Sequence, residues 1–204
     1  HPILGLLPPS YFIEAIKDCN EIDRLTLALA DQAMAQTARS ALTGRGASLA
    51  LNVETCQLGN AQLLNDLIAA LERYALPATA LTLEVTETGL LSVQAATLET
   101  LVRLRLLGCT VSIDDFGTGF SSMERLCNLP FNQLKIDASF VRRLPGDARS
   151  ESVIAATLSL AESLGITVVA EGIENRRPAQ RAIGYALCTG SRLLVCTPNV
   201  WRRV

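Results

Sequence analysis

Histidine is almost absent from this chain: the only one is His1. No imidazole can therefore join a metal site within the chain's interior sequence, and a site built from Asn, Asp and Glu oxygens suits hard divalent ions and not zinc or copper. Positive charge is not in excess either. Lys and Arg number 18 against 20 Asp and Glu, a net charge of −2, so no global field draws the chain to DNA, while a small anion held by metals stays open. The six cysteines, at 19, 56, 109, 127, 188 and 196, contain no CxxC pair and mostly lie in apolar runs. They read as reduced core thiols of a cytoplasmic protein. No uncharged apolar stretch is long enough for a membrane segment, and His1-Pro2-Ile3-Leu4-Gly5 lacks a signal-peptide layout. Neither GxGxxG nor GxxxxGK[ST] occurs, which removes the glycine-rich phosphate turn of an open nucleotide-binding sheet.

What is present is enough chain, 204 residues at 49% hydrophobic, for a single domain spanning 1–204 with one large core. Residues 1–10 read as a Pro- and Gly-rich loop. Helical spacing runs from Tyr11 to Arg39 with a break near Asn20, then through Ala61–Tyr74, Leu98–Leu107, Ser121–Leu126, Ser150–Leu164 and Arg177–Ile183. Strands are predicted at Ser48–Val53, Leu81–Glu87, Thr110–Phe116, Gln133–Asp137 and Thr167–Gly172. Strand and helix alternate, so the class is α/β with a parallel sheet, either open and doubly wound or closed into a barrel. A polar residue stands at the end of strand after strand: Asn52, Glu84, Asp115, Lys135, Glu171. A ring of such residues is how a (β/α)8 TIM-like barrel builds its site.

The stretch Val111-Ser112-Ile113-Asp114-Asp115-Phe116-Gly117-Thr118-Gly119 carries the most chemistry. An apolar strand delivers two adjacent carboxylates into a glycine-containing loop. Two such groups repel, so a cation is expected between or beside them. The competing reading is a turn held by Asx hydrogen bonds. Asn52, Glu84, Asp114, Asp115 and Glu171 together offer one neutral oxygen ligand and four carboxylates, a match in charge for two divalent ions. Without metal, the cluster should repel itself and some of its pKa values should rise. Lys135 fits a group that orients or deprotonates a water or neutralises transition-state charge. It equally fits a strand-end lysine paired with Asp137 or Asp115.

Leu51-Asn52-Val53, Leu83-Glu84-Val85-Thr86-Glu87, Asp114-Asp115-Phe116-Gly117-Thr118-Gly119-Phe120-Ser121-Ser122, Leu134-Lys135-Ile136-Asp137 and Val169-Ala170-Glu171-Gly172-Ile173-Glu174 follow one another in an order that resembles the EAL family of bacterial cyclic-di-GMP phosphodiesterases. The resemblance covers about residues 1–175. It implies an EAL-type (β/α)8 barrel hydrolysing cyclic di-GMP to linear pGpG. Asn52, Glu84, Asp114, Asp115 and Glu171 would hold two Mg²⁺ or Mn²⁺ ions, with Ca²⁺ inhibitory. Lys135 and Glu171 would be catalytic, with Asp137 and Glu174 supporting them. The family's pattern further implies that Glu87 steadies the loop of Gly117, Thr118 and Gly119 and couples it to a homodimer interface. Pro9, Phe12 and Thr189 would line the substrate, and an upstream sensory or regulatory domain would control the site.

The sequence departs from that pattern in places. The strand with the Glu-Ala-Leu signature and its arginine would precede His1, leaving the barrel incomplete at its first strand. Lys17 stands where a glutamate is usual, Cys188-Thr189-Gly190-Ser191 replaces a Gln-Gly-Tyr stretch, the connection after Glu174 is about two residues short, and Asn132 replaces a common aspartate. These changes keep a second function open, a catalytically impaired module serving as a cyclic-di-GMP receptor or protein-interaction domain. Lys135 alone also admits a Schiff-base aldolase, although the surrounding carboxylates oppose the low lysine pKa that chemistry needs. The tail Trp201-Arg202-Arg203-Val204 reads as a surface end.

Overall fold

The apolar period that starts at Tyr11 is cut at Asn20, whose φ of 56° lies in the left-handed region that asparagine tolerates. The computed structural model, which describes residues 2–39, 48–92, 94–117, 128–173, 192–197 and 200–203, accordingly places two helices there. They are α1 (Ile13–Asp18) and α2 (Ile22–Arg39). α3 (Ala61–Arg73) starts at Asn60, whose side chain accepts from the Gln62 N–H at 3.0 Å, and buries Leu63, Leu64, Leu67 and Leu71 along one face. α4 (Ala95–Leu107) ends at Gly108, where φ is 95° and the N–H returns to the last turn. α5 (Ala138–Arg142) and α6 (Ala148–Leu164) are capped by Asp137 and Asp147.

Between the helices lie β1 (Leu49–Asn52), β2 (Leu81–Thr86), β3 (Thr110–Phe116), β4 (Gln133–Ile136) and β5 (Thr167–Ala170). β6 (Arg192–Thr197) and β7 (Val200–Arg203) complete one sheet whose spatial order is its chain order. β1 to β6 are parallel neighbours in succession. A doubly wound sheet reverses its strand order at a switch point, and strict succession is instead the winding of a (β/α) barrel. Among the described residues the ladders leave β1 and β7 as the two edges.

β7 runs antiparallel to β6, with Thr197 opposite Val200 and Cys196 opposite Trp201. Trp201, Arg202 and Arg203 of the tail therefore lie in a strand at the edge of the sheet. Val200 and Trp201 are β-forming residue types. The predicted helices at Ser121–Leu126 and Arg177–Ile183 lie outside the described residues.

β2 and β4 are buried on both faces, as parallel strands covered by helices must be. Leu83, Ile113 and Leu134 form the sheet's share of the core, with Met34, Leu104 and Leu158 from the helices. The cysteines depart from expectation. Cys109 is buried, but Cys19 and Cys56 are exposed, because one closes α1 and the other enters the turn after β1, where side chains face water.

Candidate active site

Because the strands are parallel and in register, residues near their C-terminal ends reach one rim. Asn52 pairs in register with Glu84, Thr86 with Asp114, and Lys135 with Val169, two residues before Glu171. The Lys135 ammonium sits at the centre of what results. Its Nζ lies 2.9 Å from Glu84 Oε2, 3.0 Å from Asp114 Oδ1 and 2.7 Å from Glu171 Oε1. Lys135 and Glu84 side chains are 5% exposed, Asp114 15% and Glu171 25%, so the cluster grades from a dry floor to an open mouth. Its partners are Glu84, Asp114 and Glu171, where the sequence suggested Asp115 or Asp137.

Local backbone devices aim these groups. The β3–β4 register shifts between Ile113 and Phe116, and within that irregularity Asp115 has a φ of 55°. A bulge at a barrel rim re-aims side chains, and aspartate is among the residues that accept this conformation. The Asp115 N–H donates to Asp114 Oδ1 at 2.9 Å, a contact between adjacent residues and not the two-residue Asx turn of the competing reading. Glu171 is fixed by its own N–H, which donates to Ile136 O at 3.3 Å, and by Gly172, where φ is 67°. A Cβ on Gly172 would meet Ala138 Cβ at 2.5 Å.

Glu87 is 3% exposed and its Oε2 accepts from the Gly117 N–H at 3.1 Å, while its own N–H donates to Asp114 O. Thr118, Gly119, Glu174 and Thr189 lie outside the described residues. Asp137 caps α5 by accepting from the Ser139 N–H. Pro9 is exposed in the turn Pro9–Tyr11 and Phe12 is half-buried at the start of α1; among the described residues no hydrogen bond or ion pair joins either to the carboxylate cluster.

Burial lowers the pKa of Lys135, but hydrogen bonds to Glu171 and Glu84 and the charge of Asp114 outweigh it and hold the group above its ordinary value. Three carboxylate oxygens within 3.0 Å of Nζ favour the charged form, which opposes the neutral amine that a Schiff-base aldolase needs. Burial pushes the Glu84 carboxyl up, with Lys135 opposing and Asp114 and Glu171 adding to the rise. Asp115 rises through burial and the charges of Asp114 and Asp137. Burial is the larger cause in both, and the like charges of the cluster add to it.

The donor set is all oxygen, and the Lys135 ammonium already takes a cation's place among three carboxylates, so these residues fit hard divalent ions. Among the described residues, no group of three acidic, histidine or cysteine side chains stands arranged to hold a metal ion, since Glu84, Asp114 and Glu171 converge on an ammonium. Their oxygens are drawn onto Lys135. Beside Asn52 and Glu84 opens a cavity of about 260 Å³, walled on the helix side by Ile13, Ile22, Leu25 and Leu29.

The sequence reading missed the polar contacts under this wall. Gln57, 3% exposed, donates to Asp23 Oδ1 at 2.8 Å and Thr26 Oγ1 at 3.0 Å, and Lys17 pairs with Glu54 at 2.8 Å and Glu14 at 3.1 Å. A buried glutamine four residues after a strand carries no periodic signal.

The family model described as EAL domain matches residues 1–188. Among curated proteins, the cyclic di-GMP phosphodiesterase RocR of Pseudomonas aeruginosa is 43% identical over 198 residues, which is 97% of this chain and 50% of that protein. This chain spans half or less of the length of the curated relatives RocR, PA2567 and NbdA. Among solved structures, the PaMucR phosphodiesterase in complex with c-di-GMP superposes with a TM-score of 0.79 at 31% identity, covering 89% of this chain and 79% of that one. The Klebsiella pneumoniae BlrP1 manganese and c-di-GMP complex gives 0.73 at 27% identity, covering 89% and 45%.

Proposed function

The chain belongs to the EAL domain family, and from that membership we propose that it hydrolyses cyclic di-GMP to linear pGpG with the help of two Mg²⁺ or Mn²⁺ ions. The observation that carries the reading is the convergence of Glu84, Asp114 and Glu171 on the buried Lys135 at one rim of the sheet. The names of its relatives, RocR as a phosphodiesterase and PaMucR with c-di-GMP bound, support the substrate.

Asn52, Glu84, Asp114, Asp115 and Glu171 would hold the cations, which when bound supply Lewis acidity and charge neutralisation at a phosphodiester. The chain's own residues do the rest. A water oxygen adds to one phosphorus, the P–O3′ bond breaks, and the 3′ oxygen leaves with a proton, giving a linear dinucleotide with a 5′ phosphate. Lys135, whose three N–H groups meet Glu84, Asp114 and Glu171, would be released to donate to the incoming water and to phosphoryl oxygens once those carboxylates turn to the cations. The carboxylates at the open end of the cluster, with Glu171 the most exposed of the three bonded to Lys135, are the chain's proton acceptors. Asp137 keeps the start of α5 in place beside Asp115. Glu87, through its bond to Gly117, ties the site to the loop that follows, and we extend this to a homodimer whose contacts sense site occupancy. Pro9, Phe12 and Thr189 are proposed to border the substrate, residues 1–204 to act as one domain, and the setting to be cytoplasmic under an upstream regulatory domain.

Lys17 favours one alternative: a receptor that binds cyclic di-GMP without cutting it, since a lysine tied to Glu54 replaces the glutamate that the family pattern leads one to expect. Turnover by the unaltered chain in Mn²⁺ separates the readings, because a receptor leaves the nucleotide intact. On the enzyme reading Asp114→Ala abolishes both Mn²⁺ binding by calorimetry and pGpG formation. A variant that keeps full turnover overturns the assignment of the site. Replacing Mn²⁺ by Ca²⁺ is expected to retain nucleotide binding and suppress turnover, because a larger ion with looser geometry positions water poorly.

A further inference from the structure

The Asn52 side chain is exposed at the end of β1, and among the described residues no side-chain hydrogen bond holds its amide. Its place therefore depends on the backbone on either side. The β1–β2 ladder fixes it upstream and runs one residue past it, to the Val53 N–H, which donates to Glu84 O at 2.9 Å. Beyond Val53 the ladder stops, and the next contact is a reciprocal one. The Glu54 N–H donates to Gln57 Oε1 at 2.9 Å, and the Gln57 N–H donates to Glu54 O at 3.0 Å.

The other end of the Gln57 amide leaves the turn altogether. Nε2 donates to Asp23 Oδ1 at 2.8 Å and to Thr26 Oγ1 at 3.0 Å, both on α2. One buried side chain thus uses its acceptor to close the chain just beyond Asn52 and both donor hydrogens to brace that closure against a helix. Asp23 also accepts from Asn60 Nδ2 at 2.8 Å, which fixes the far end of the same connection. Gln57 and Thr26 line the cavity that Asn52 and Glu84 share, so the brace sets the distance between α2 and the rim. A hydrophobic residue of equal size would fill the same volume and pack the same helix. It would leave the Glu54 N–H, Asp23 and Thr26 without the partner that joins them.

We propose that Gln57 is the positioning residue for Asn52, holding the neutral oxygen ligand where it completes the cation site. The inference rests on Asn52 being a ligand, as in the function proposed above. A residue that orients a ligand is worth about 10- to 100-fold in metal affinity, and two residues acting through one contact are not additive.

The test is a double-mutant cycle read by calorimetric titration of the protein with Mn²⁺ alone. Asn52→Ala and Gln57→Leu are each expected to weaken Mn²⁺ about tenfold, and the double variant to be no weaker than about 20-fold, because Gln57 has nothing left to position. A purely structural Gln57 predicts about 100-fold for the double variant, or an unchanged affinity for Gln57→Leu, and either result overturns the proposal. If Gln57→Leu does not fold, Thr26→Val removes one acceptor of Nε2. It should weaken Mn²⁺ in the wild-type background and have no effect on the Asn52→Ala background; equal effects in both contradict the proposal. An Asn52→Ala protein with wild-type Mn²⁺ affinity removes the ligand reading and this inference with it, whereas a weakened Asn52→Ala with an additive Gln57→Leu leaves that reading standing and sinks this one.

Discussion

A lysine buried among carboxylates is a stabilising centre only while its charge is present. In Lys135→Met the same volume is filled, but Glu84, Asp114 and Glu171 face one another uncompensated. Removing one member of a buried ion-pair network costs about 3–5 kcal/mol, which for a chain of this size lowers the melting temperature by roughly 6–20 °C. Adding Mn²⁺ should recover more of that loss in the variant than it adds to the wild type, since the ions replace the missing cation. Turnover should fall by about 10²–10³-fold, the cost of one lost transition-state donor. Differential scanning fluorimetry with and without Mn²⁺, beside a rate measurement, checks all three. Equal melting temperatures for wild type and variant would show that the three ion pairs are not where the structure puts them.

At this scale the sequence was informative in kind and poor in geometry. The residue types at the strand ends, Asn52, Glu84, Asp114, Asp115, Lys135 and Glu171, were legible because acidic tips on apolar runs are chemically conspicuous. That Lys135 binds Glu84, Asp114 and Glu171 was not, because its partners come from β2, β3 and the residue just after β5 and depend on register. Gln57 was invisible for the same reason: its partners are 31 and 34 residues away in sequence.

Elements hold these residues through their ends. Gly172 lets the chain leave β5 against the first turn of α5, and it is the close approach to Ala138 that demands glycine there. Gly172→Ala must either strain φ or push α5 away, a cost of about 1–3 kcal/mol. Glu171 moves with it, and a shift on the order of 1 Å at a reacting centre costs about 10²-fold in rate. The check is the ratio of effects. A stability loss with kcat unchanged would mean that Gly172 serves the helix packing alone.

The cap of α6 gives a prediction in pH. Asp147 accepts hydrogen bonds from the backbone N–H and the hydroxyl of Ser150, and these hold its carboxyl below the ordinary aspartate range. A group whose folded pKa is depressed contributes stability that is present above its unfolded pKa, near 3.9, and lost as pH falls through the folded value. Asp147→Asn keeps a capping oxygen and removes the titration. Its stability should therefore fall less steeply than the wild type's on acidification below about pH 4, read as unfolding midpoints across that range. Parallel acid branches would contradict the assignment.

Strand and helix periods were well marked where both faces of an element obey one rule, as in β3 or α3. β7 was missed because a four-residue strand with two arginines, Val200-Trp201-Arg202-Arg203, looks like a basic tail. Only pairing with β6 makes it a strand. The break at Asn20 was read correctly, since an asparagine between two apolar-periodic runs has a local cause.

Over the whole molecule, the chain order of the sheet does the functional work. Six parallel strands in strict succession turn all their C-terminal ends to one side, so residues from 52 to 171 meet at a single rim. No surface basicity is required, which agrees with a net charge of −2. On the function proposed above, local cations and one buried lysine would supply what a diester of two phosphates needs. Among the described residues no helix is long and apolar enough to cross a membrane.

The measurement that tests this most directly is the conversion of cyclic di-GMP by the purified protein, followed by chromatographic separation of pGpG, with Mn²⁺, with EDTA, and for Glu171→Gln with Mn²⁺. Metal-dependent formation of pGpG that EDTA stops and Glu171→Gln abolishes is the predicted result. Nucleotide that binds but stays intact in Mn²⁺, or is cut equally well in EDTA, would contradict it.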